Sequence, residues 1–162
     1  MKKISYFLIP LLIVISISSC AGYKPIFSTT DIKFRIADYS INGEKNLAKK
    51  IYLKLYSLSK SSENSPDAKN ISFSINVQKK KTEITKDSTG KVTAYNITLT
   101  TEIVARDTVE GNNILNKIIT YSSSYKVQDQ YSETLKLENK TIENLSDKTY
   151  QDILINLSDN IS

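Results

Sequence analysis

Hydrophobic and polar residues alternate in four stretches of the chain. The clearest stretch runs from Asn70 to Gln78, where every second residue is hydrophobic. A period of two places the hydrophobic residues on one side of a strand, so this pattern predicts half-buried β-strands. The other predicted strands run from Ile32 to Ile41, from Tyr95 to Ala105 and from Leu115 to Tyr125. In the first of these, the hydrophobic positions change parity at Ala37-Asp38, which predicts a β-bulge.

Two further stretches carry hydrophobic residues at helical spacing. From about Gly43 to Lys60, leucine and isoleucine recur every three or four residues and form one hydrophobic stripe. From Ser132 to Ile161 the chain has no proline or glycine, and leucine and isoleucine again recur near helical spacing. We predict one long helix there, or one with a break near its start. A helix of about 30 residues is about 45 Å long and can lie along the whole sheet.

Two segments between the predicted strands have the composition of hairpin turns. These segments, Lys86–Lys91 and Glu110–Asn113, combine glycine with aspartate or asparagine. Three strands joined by short turns form an antiparallel meander. The complete order is β-α-β-β-β-α, which predicts an α+β two-layer sandwich: two helices on one face of a four-stranded, mostly antiparallel sheet. This single domain would span residues 31–162.

The N-terminus has the pattern of a bacterial secretion signal. Two lysines precede residues 4–17, which are almost all hydrophobic. This run is shorter than the roughly 20 residues that a transmembrane helix needs, and it ends in small residues, as a signal peptide does. Ile17-Ser18-Ser19-Cys20 matches the lipobox of bacterial lipoproteins. The match implies removal of residues 1–19 and acylation of Cys20.

Cys20 is the only cysteine in the chain, and its acyl chains would anchor the protein to a membrane. More than one acyl chain makes such an attachment lasting. Residues 20–30 contain Gly22 and Pro25 and follow no regular period, so we interpret them as a tether between the lipid and the domain. The alternative is an ordinary secreted protein whose cysteine falls at this position by chance.

The composition argues against several classes of function. The full chain has a formal net charge of +5, and loss of the signal peptide would lower it by two, so we expect no nucleic-acid partner. There is no histidine, which is the commonest general base and a common metal ligand. We therefore expect no enzymatic activity, no metal site and no cofactor.

The N-terminal motif and the predicted fold together resemble the LPS-assembly lipoprotein family (LptE-like). The residues after Cys20 read Ala21-Gly22-Tyr23-Lys24-Pro25-Ile26-Phe27. They are similar to the C-G-[FY]-x-P-[LI]-[YF] opening of shorter family members, with one residue inserted. Ser124-Tyr125, followed by Tyr131-Ser132 and a long helix, is similar as well. The resemblance covers the whole mature chain.

The resemblance implies a partner and a location. LptE-like proteins sit inside the barrel of an outer-membrane translocon (LptD-like) and help it to assemble and insert lipopolysaccharide (LPS). This chain would then be lipid-anchored on the periplasmic side of the outer membrane. Alanine at position 21, in place of aspartate, resembles outer-membrane sorting in enteric bacteria. The family has no conserved catalytic set, so none is carried over.

One face of the predicted sheet is suited to contact such a barrel. Its outward residues are rich in hydroxyl and amide groups, which cost less to bury than charges and suit the polar lumen of a large barrel. The candidate docking residues are Ser72, Ser74, Asn76, Thr98, Thr100, Thr120 and Ser122. A sheet face that simply meets solvent has the same composition, and this alternative stays open.

The predicted hairpin between the second and third strands has the densest positive charge in the chain. Because lysine ammonium groups pair with phosphate, we predict that this hairpin contacts the phosphates of LPS. The candidate residues are Lys79, Lys80, Lys81, Lys86 and Lys91. The alternative is that these lysines keep an exposed hairpin soluble and discourage edge-to-edge pairing.

The leading hypothesis is an outer-membrane lipoprotein that acts as an accessory or plug subunit of the LPS translocon. The alternative is an auxiliary lipoprotein of an ABC-type transport or lipid-trafficking system, for which an inner-membrane permease complex would co-purify. A lipid-anchored hydrolase is a third class. The absence of histidine and of a glycine-flanked nucleophile argues against it.

Overall fold

The structure is a computed structural model that describes residues 32–161. The predicted signal peptide, the acylated Cys20 and the tether lie outside the described residues. The element order is β-α-β-β-β-α, as the sequence predicts. The elements are β1 (Phe34–Gly43), α1 (Lys45–Ser61), β2 (Lys69–Lys86), β3 (Val92–Asp107), β4 (Asn113–Lys126) and α2 (Tyr131–Ile161).

The four strands form one sheet in the order β1-β2-β3-β4. β1 lies parallel to β2, and the other two neighbouring pairs are antiparallel, so the predicted meander and the mostly antiparallel sheet are confirmed. The pairing of β1 with β2 shifts between Ile36 and Asp38, where the sequence predicts a bulge. Beyond this shift Tyr39 pairs with Phe73, so the bulge returns the hydrophobic residues of β1 to the core side.

Both helices pack against the same face of the sheet, which we call the covered face. The hydrophobic positions of β2 point to it, and Ile71, Phe73, Ile75 and Val77 are at most 2% exposed. The helices contribute hydrophobic residues to the same cluster: Leu47, Ile51 and Leu55 from α1, and Leu145, Ile153 and Leu157 from α2. Burying one such side chain stabilises the fold by about 1.5–3 kcal/mol. The predicted two-layer sandwich is therefore confirmed, with its core between the helices and the covered face.

A glycine fixes the connection from β1 to α1. Gly43 has φ +73°, and a Cβ atom there would lie 2.1 Å from the carbonyl oxygen of Val77. The same oxygen accepts a hydrogen bond of 2.7 Å from the backbone N–H of Glu44. Only glycine allows this close approach with positive φ. The turn therefore holds the start of α1 against β2.

α2 is one continuous helix, so the break considered near its start is absent. Several of its buried positions are threonine or serine, not leucine. Ser146 and Thr149 satisfy their hydroxyl groups by donating hydrogen bonds of 2.9 Å to the carbonyls of Ile142 and Leu145 in the preceding turn. The helix can therefore bury these polar side chains against the sheet.

Neither α1 nor α2 has the combination of length and hydrophobicity that a membrane-crossing helix requires.

Candidate docking face and lysine hairpin

The sheet face opposite the helices carries the predicted docking residues, and we call it the open face. No helix or strand within residues 32–161 covers it. The strand register places all seven candidates on this face, in rows that cross the sheet. One row joins Gln78, Thr100 and Thr120, and the next joins Lys80, Thr98 and Ser122. The sequence therefore identified these positions as one surface, while their docking role stays a prediction.

Hydroxyl and amide groups on the open face hydrogen-bond to one another between strands. Ser122 Oγ lies 2.7 Å from Asn96 Nδ2 and 3.1 Å from Thr98 Oγ1. Toward the β1 edge of the same face, Ser40 Oγ donates to Ser74 Oγ at 3.0 Å. These pairs join β3 to β4 and β1 to β2. They fix the side-chain orientations and still leave lone pairs for a partner.

Charged side chains of both signs also lie on the open face. Lys80 is paired in register with Thr98, and Glu102 is paired with Asn76. The Nδ2 atom of Asn76 donates to Glu102 Oε2 at 3.5 Å, which is a weak contact. Next to Glu102 on β4, Ile118 is 70% exposed. The surface is thus predominantly neutral and polar, with a hydrophobic side chain near one edge.

The five candidate lysines do not form a single patch. β2 extends beyond the core, and the residues from Gln78 to Lys81 are exposed. Because side chains alternate along a strand, Lys79 and Lys81 lie on the covered side, whereas Lys80 lies on the open face. Lys86 forms an ion pair of 3.0 Å with Glu83, three residues earlier. The lysines therefore divide between two surfaces and the hairpin tip.

Lys81 is held by a cluster from three other elements of the fold. Its Nζ lies 2.6 Å from Glu138 Oε2 on α2, and the hydroxyl group of Tyr125 donates to the same oxygen at 2.7 Å. The ammonium group also lies 4.3 Å from the ring centroid of Tyr95 and 5.6 Å from that of Tyr125, within cation–π range. The charge of Lys81 is therefore already compensated within the domain.

The pKa values in this cluster shift in opposite directions. Burial alone would lower the pKa of Lys81, but hydrogen bonds to Glu138 and Tyr125 outweigh it and raise the pKa. Burial would raise the pKa of Glu138, but hydrogen bonds from Lys81 and Tyr125 outweigh it and lower that pKa. Burial is also the largest cause that raises the pKa of Tyr125. Both members of the ion pair are thus held in their charged forms.

A groove of about 430 Å³ lies beside this cluster, between the hairpin and the start of α2. One part of its wall is hydrophobic, with Val92, Tyr131 and Leu135. Lys81 and Lys91 line the same groove together with Asp129 and Glu138, so it combines charges of both signs with hydrophobic surface. Within residues 32–161, no three Asp, Glu, Cys or His side chains are grouped as metal ligands would be.

The hairpin tip is fixed by one carboxylate. Asp87 Oδ1 accepts hydrogen bonds from the backbone N–H groups of Thr89 and Lys91, at 2.9 and 3.0 Å, and from the Thr89 hydroxyl at 2.7 Å. The hydrogen bond from the Thr89 hydroxyl is the largest cause that lowers the pKa of Asp87. Gly90 supplies the positive φ, +86°, that the turn needs. The tip is therefore a defined turn, as its Asp and Gly residues predict.

Comparisons with known proteins identify the fold. No protein-family model matches the sequence, and no curated protein matches it. Solved structures do match. A solution structure of uncharacterized lipoprotein B from Nitrosomonas europaea has a TM-score of 0.57 at 11% identity, covering 82% of this chain and 88% of that one. A minor lipoprotein from Acinetobacter baumannii has a TM-score of 0.56 at 17% identity, covering 80% and 94%.

A third similar structure is the rare lipoprotein B from Shewanella oneidensis, with a TM-score of 0.53 at 14% identity, covering 75% of this chain and 94% of that one. All three neighbours are bacterial lipoproteins by name, and each is matched over most of its length. At these identities the likeness extends to the fold alone. The domain that follows the predicted lipobox of this chain therefore has the same fold as these three structures.

Proposed function

We propose that this protein is an outer-membrane lipoprotein, anchored through Cys20, that docks in the LPS-translocating β-barrel and assists LPS assembly without catalysis. The observation that carries the proposal is the open face. It is a wide, mostly uncharged, hydrogen-bonding surface on a domain whose other face is filled by its own helices. The lipobox and the shared fold with bacterial lipoproteins support the same conclusion.

The open face suits the wall of a large barrel for a physical reason. The lumen of such barrels is lined by polar side chains. Contact between two polar surfaces removes water from both. Removing this water costs less free energy for uncharged hydroxyl and amide groups than for charged groups. Ser122, Thr98 and Asn96 are already oriented by mutual hydrogen bonds, so little side-chain freedom is lost when a partner binds.

The lipid anchor is tested by replacing Cys20, the residue that would accept the acyl chains. With Cys20→Ser, we expect a precursor that retains residues 1–19 and incorporates no labelled fatty acid in cells. The measurement is metabolic labelling together with the mass of the purified chain. Normal labelling of this variant would refute acylation at Cys20.

Docking is tested by affinity purification of the C-terminally tagged protein from detergent-solubilised outer membrane, with mass spectrometry of what co-purifies. We expect a β-barrel protein in stoichiometric amount. Ser74→Asp places a charge on the open face and should reduce the co-purified barrel about tenfold or more, because an unpaired charge would be buried at the contact. Ser132→Asp, at an exposed position on α2, is the matched control and should not reduce it.

Two results would contradict the docking proposal. Undiminished recovery of the barrel with Ser74→Asp would show that the open face is not the contact. Recovery of an inner-membrane permease complex in place of the barrel would favour the auxiliary lipoprotein of a transport system.

The proposed LPS contact lies at the lysine hairpin. At this groove, Lys91 offers a positive charge for phosphate, and the hydrophobic wall offers a surface for an acyl chain; these are the two chemical features of a phosphorylated lipid. Because Lys81 is paired with Glu138, the test replaces Lys79, Lys80 and Lys91 together by Gln. We expect weaker, less salt-dependent LPS binding with an unchanged melting temperature. Wild-type affinity in this variant would remove the hairpin from LPS binding.

A further inference from the structure

α1 carries a basic surface on the side that faces away from the core. Its buried side holds Leu47, Ala48, Ile51 and Leu55. One solvent-facing line along the helix consists of Lys45, Lys49, Leu53, Tyr56 and Lys60, spaced three or four residues apart and all exposed. The helix contains five lysines and no acidic residue. We call this line of five residues the basic stripe.

Exposed aromatic rings lie beside the basic stripe. Tyr39 on β1 stacks on Tyr52, with ring centroids 4.0 Å apart, and Tyr52 lies 5.9 Å from Tyr56. The Nζ atom of Lys60 lies 5.1 Å from the Tyr56 ring centroid. Tyr39 is 50% exposed, Leu53 49% and Tyr56 40%. Tyr39 and Tyr56 therefore form an ordered, partly hydrophobic surface next to the lysines, and Tyr52 is half-buried between this surface and the core.

The positive charge of the basic stripe is uncompensated by ion pairs among the described residues. α2, packed beside α1, carries six acidic residues and three lysines, yet only Lys54 of α1 forms an ion pair with it, through Asp147. Lys50 shares a groove with Glu143 and Asp147 of α2. Among the described residues, Lys45, Lys49 and Lys60 have no carboxylate within ion-pair distance. A helix with lysines on its polar side and hydrophobic or aromatic residues beside them is typical of binding to an anionic membrane surface.

The chain enters the domain next to the end of this helix. Ser62, the residue after α1, donates a hydrogen bond of 3.2 Å to the carbonyl oxygen of Ile32, the first described residue. Cys20 precedes Ile32 by twelve residues, and even a fully extended chain of that length spans only about 40 Å. An acylated Cys20 would therefore keep the C-terminal end of α1 within about 40 Å of the bilayer.

We infer that the basic stripe and the adjoining tyrosines bind the surface of a bilayer that contains anionic phospholipid. Lysines would contact lipid phosphate groups, and the tyrosine rings and Leu53 would enter the headgroup region, where amphipathic rings are favoured. This contact lies on the helical side of the domain, so it leaves the open face free. The nearness of the anchor rests on the proposed function, but the binding itself needs neither acylation nor a barrel.

The test uses a chain that begins at residue 20 with Cys20→Ser, which keeps every core residue and has no acyl chain or signal peptide. Binding is measured by flotation with vesicles of phosphatidylcholine alone and of three parts phosphatidylcholine to one part phosphatidylglycerol. We expect binding only to the anionic vesicles, and release at high salt because screening weakens contacts between exposed charges. Replacing Lys45, Lys49 and Lys60 together by Gln should lower affinity on the order of a hundredfold, since each lysine near the surface contributes about fivefold.

Matched variants distinguish binding through the basic stripe from a general effect of net charge. Replacing Lys136, Lys140 and Lys148 of α2 by Gln removes the same charge and should change vesicle affinity by less than about twofold. Equal losses in the two variants would overturn the inference, because net charge alone would then explain binding. Wild-type vesicle binding in the α1 variant with an unchanged melting temperature would overturn it as well.

Further variants also test whether α1 binds the bilayer. Lys49→Glu, a single exposed change, should weaken binding even if the triple variant folds poorly. If replacing Lys79, Lys80 and Lys91 abolishes vesicle binding while the α1 variant retains it, the hairpin is the lipid contact and the inference fails. Failure of barrel co-purification or of Cys20 acylation would leave this vesicle result unaffected, so the two proposals are judged separately.

Discussion

The covered and open faces of the sheet are built from the same strands but are specified in different ways. Along β2, Phe73 is buried between the sheet and the helices, whereas Ser74, the next residue, points to the side that no described element covers. The covered face holds the protein together, because its hydrophobic residues leave water on folding. The open face contributes little to stability. Its composition is therefore free to serve a partner.

Single interactions on the covered face contribute more free energy to stability than those on the open face. A buried leucine, isoleucine or phenylalanine contributes about 1.5–3 kcal/mol, whereas one hydrogen bond contributes about 1 kcal/mol net. The hydroxyl pairs of the open face, such as Ser40 with Ser74, are also partly exposed, so water can replace them when they break. Substitutions on the two faces should differ accordingly.

The largest effect is expected for Phe73→Asp. Phe73 is 2% exposed and meets Phe34 edge to face, with ring centroids 5.8 Å apart. The change removes this hydrophobic burial and places an unpaired charge in the core, so we expect a loss of more than about 5 kcal/mol, enough to unfold a domain at the lower end of ordinary stability. Far-UV circular dichroism and urea denaturation measure the effect. A folded variant with near wild-type stability would show that the covered face is not the core.

A smaller loss is expected for Glu138→Gln, which breaks the ion pair between the covered side of β2 and α2. The side chain of Glu138 is 18% exposed, but that of Lys81 is 37% exposed, so solvent screens the pair and we expect a loss of about 1 kcal/mol. Glu133→Gln, at an exposed position paired only with Lys136, is the control and should change little.

The effect of Glu138 should depend on pH in a defined direction. Its pKa is lowered in the folded protein from the ordinary value of 4.5, so its contribution is present above about pH 4.5 and is lost as the pH falls through the lowered pKa. The difference in stability between wild type and Glu138→Gln should therefore shrink between neutral pH and about pH 3. A difference that grows on acidification would contradict the assignment of the charged pair.

A gain in stability is expected for Thr101→Val on the covered face. Thr101 is fully buried between Val77 and Ile119, and its Oγ1 atom has no hydrogen-bond partner among the described residues. Valine has nearly the same shape without the unsatisfied hydroxyl group, so we expect a gain of about 1 kcal/mol. Thermal denaturation measures it. Thr100→Val, on the open face, is the matched change and should have no comparable effect; equal gains would mean that burial is not the cause.

The smallest effect on the isolated protein is expected for Ser74→Asp. Ser74 lies directly after Phe73, and its substitution loses only the bond to Ser40, so stability should change by no more than about 0.5 kcal/mol. Urea denaturation checks this value. The same variant is expected to lose the barrel partner. A large loss of stability would mean that the open face contributes to folding as the covered face does, and Ser74→Asp could then no longer serve as a test of docking.

The fold can be predicted from the sequence because the patterns that indicate it involve residues close together in the chain. Alternation in β2 and β3, the parity change at Ala37-Asp38 and the glycine turns each depend on residues that are close in the chain. The positions on the open face follow from the same alternation, so all seven were correctly placed on one surface. Thr101 has the parity of Leu99 and Ile103 and is buried with them, but because it is polar the hydrophobic pattern alone does not mark it as a core residue.

The sequence by itself determined the element order and the alternation of side chains along the strands, and it predicts the lipidation of Cys20. Only the tertiary structure decided which charges and rings meet. Lys81 and Glu138 are 57 residues apart in the chain, so no local pattern pairs them, and that pairing divides the predicted lysine patch. Likewise, the stack of Tyr39 on Tyr52 requires β1 and α1 to lie side by side. Periodicity reports which way a side chain points, whereas its neighbours depend on how distant segments pack.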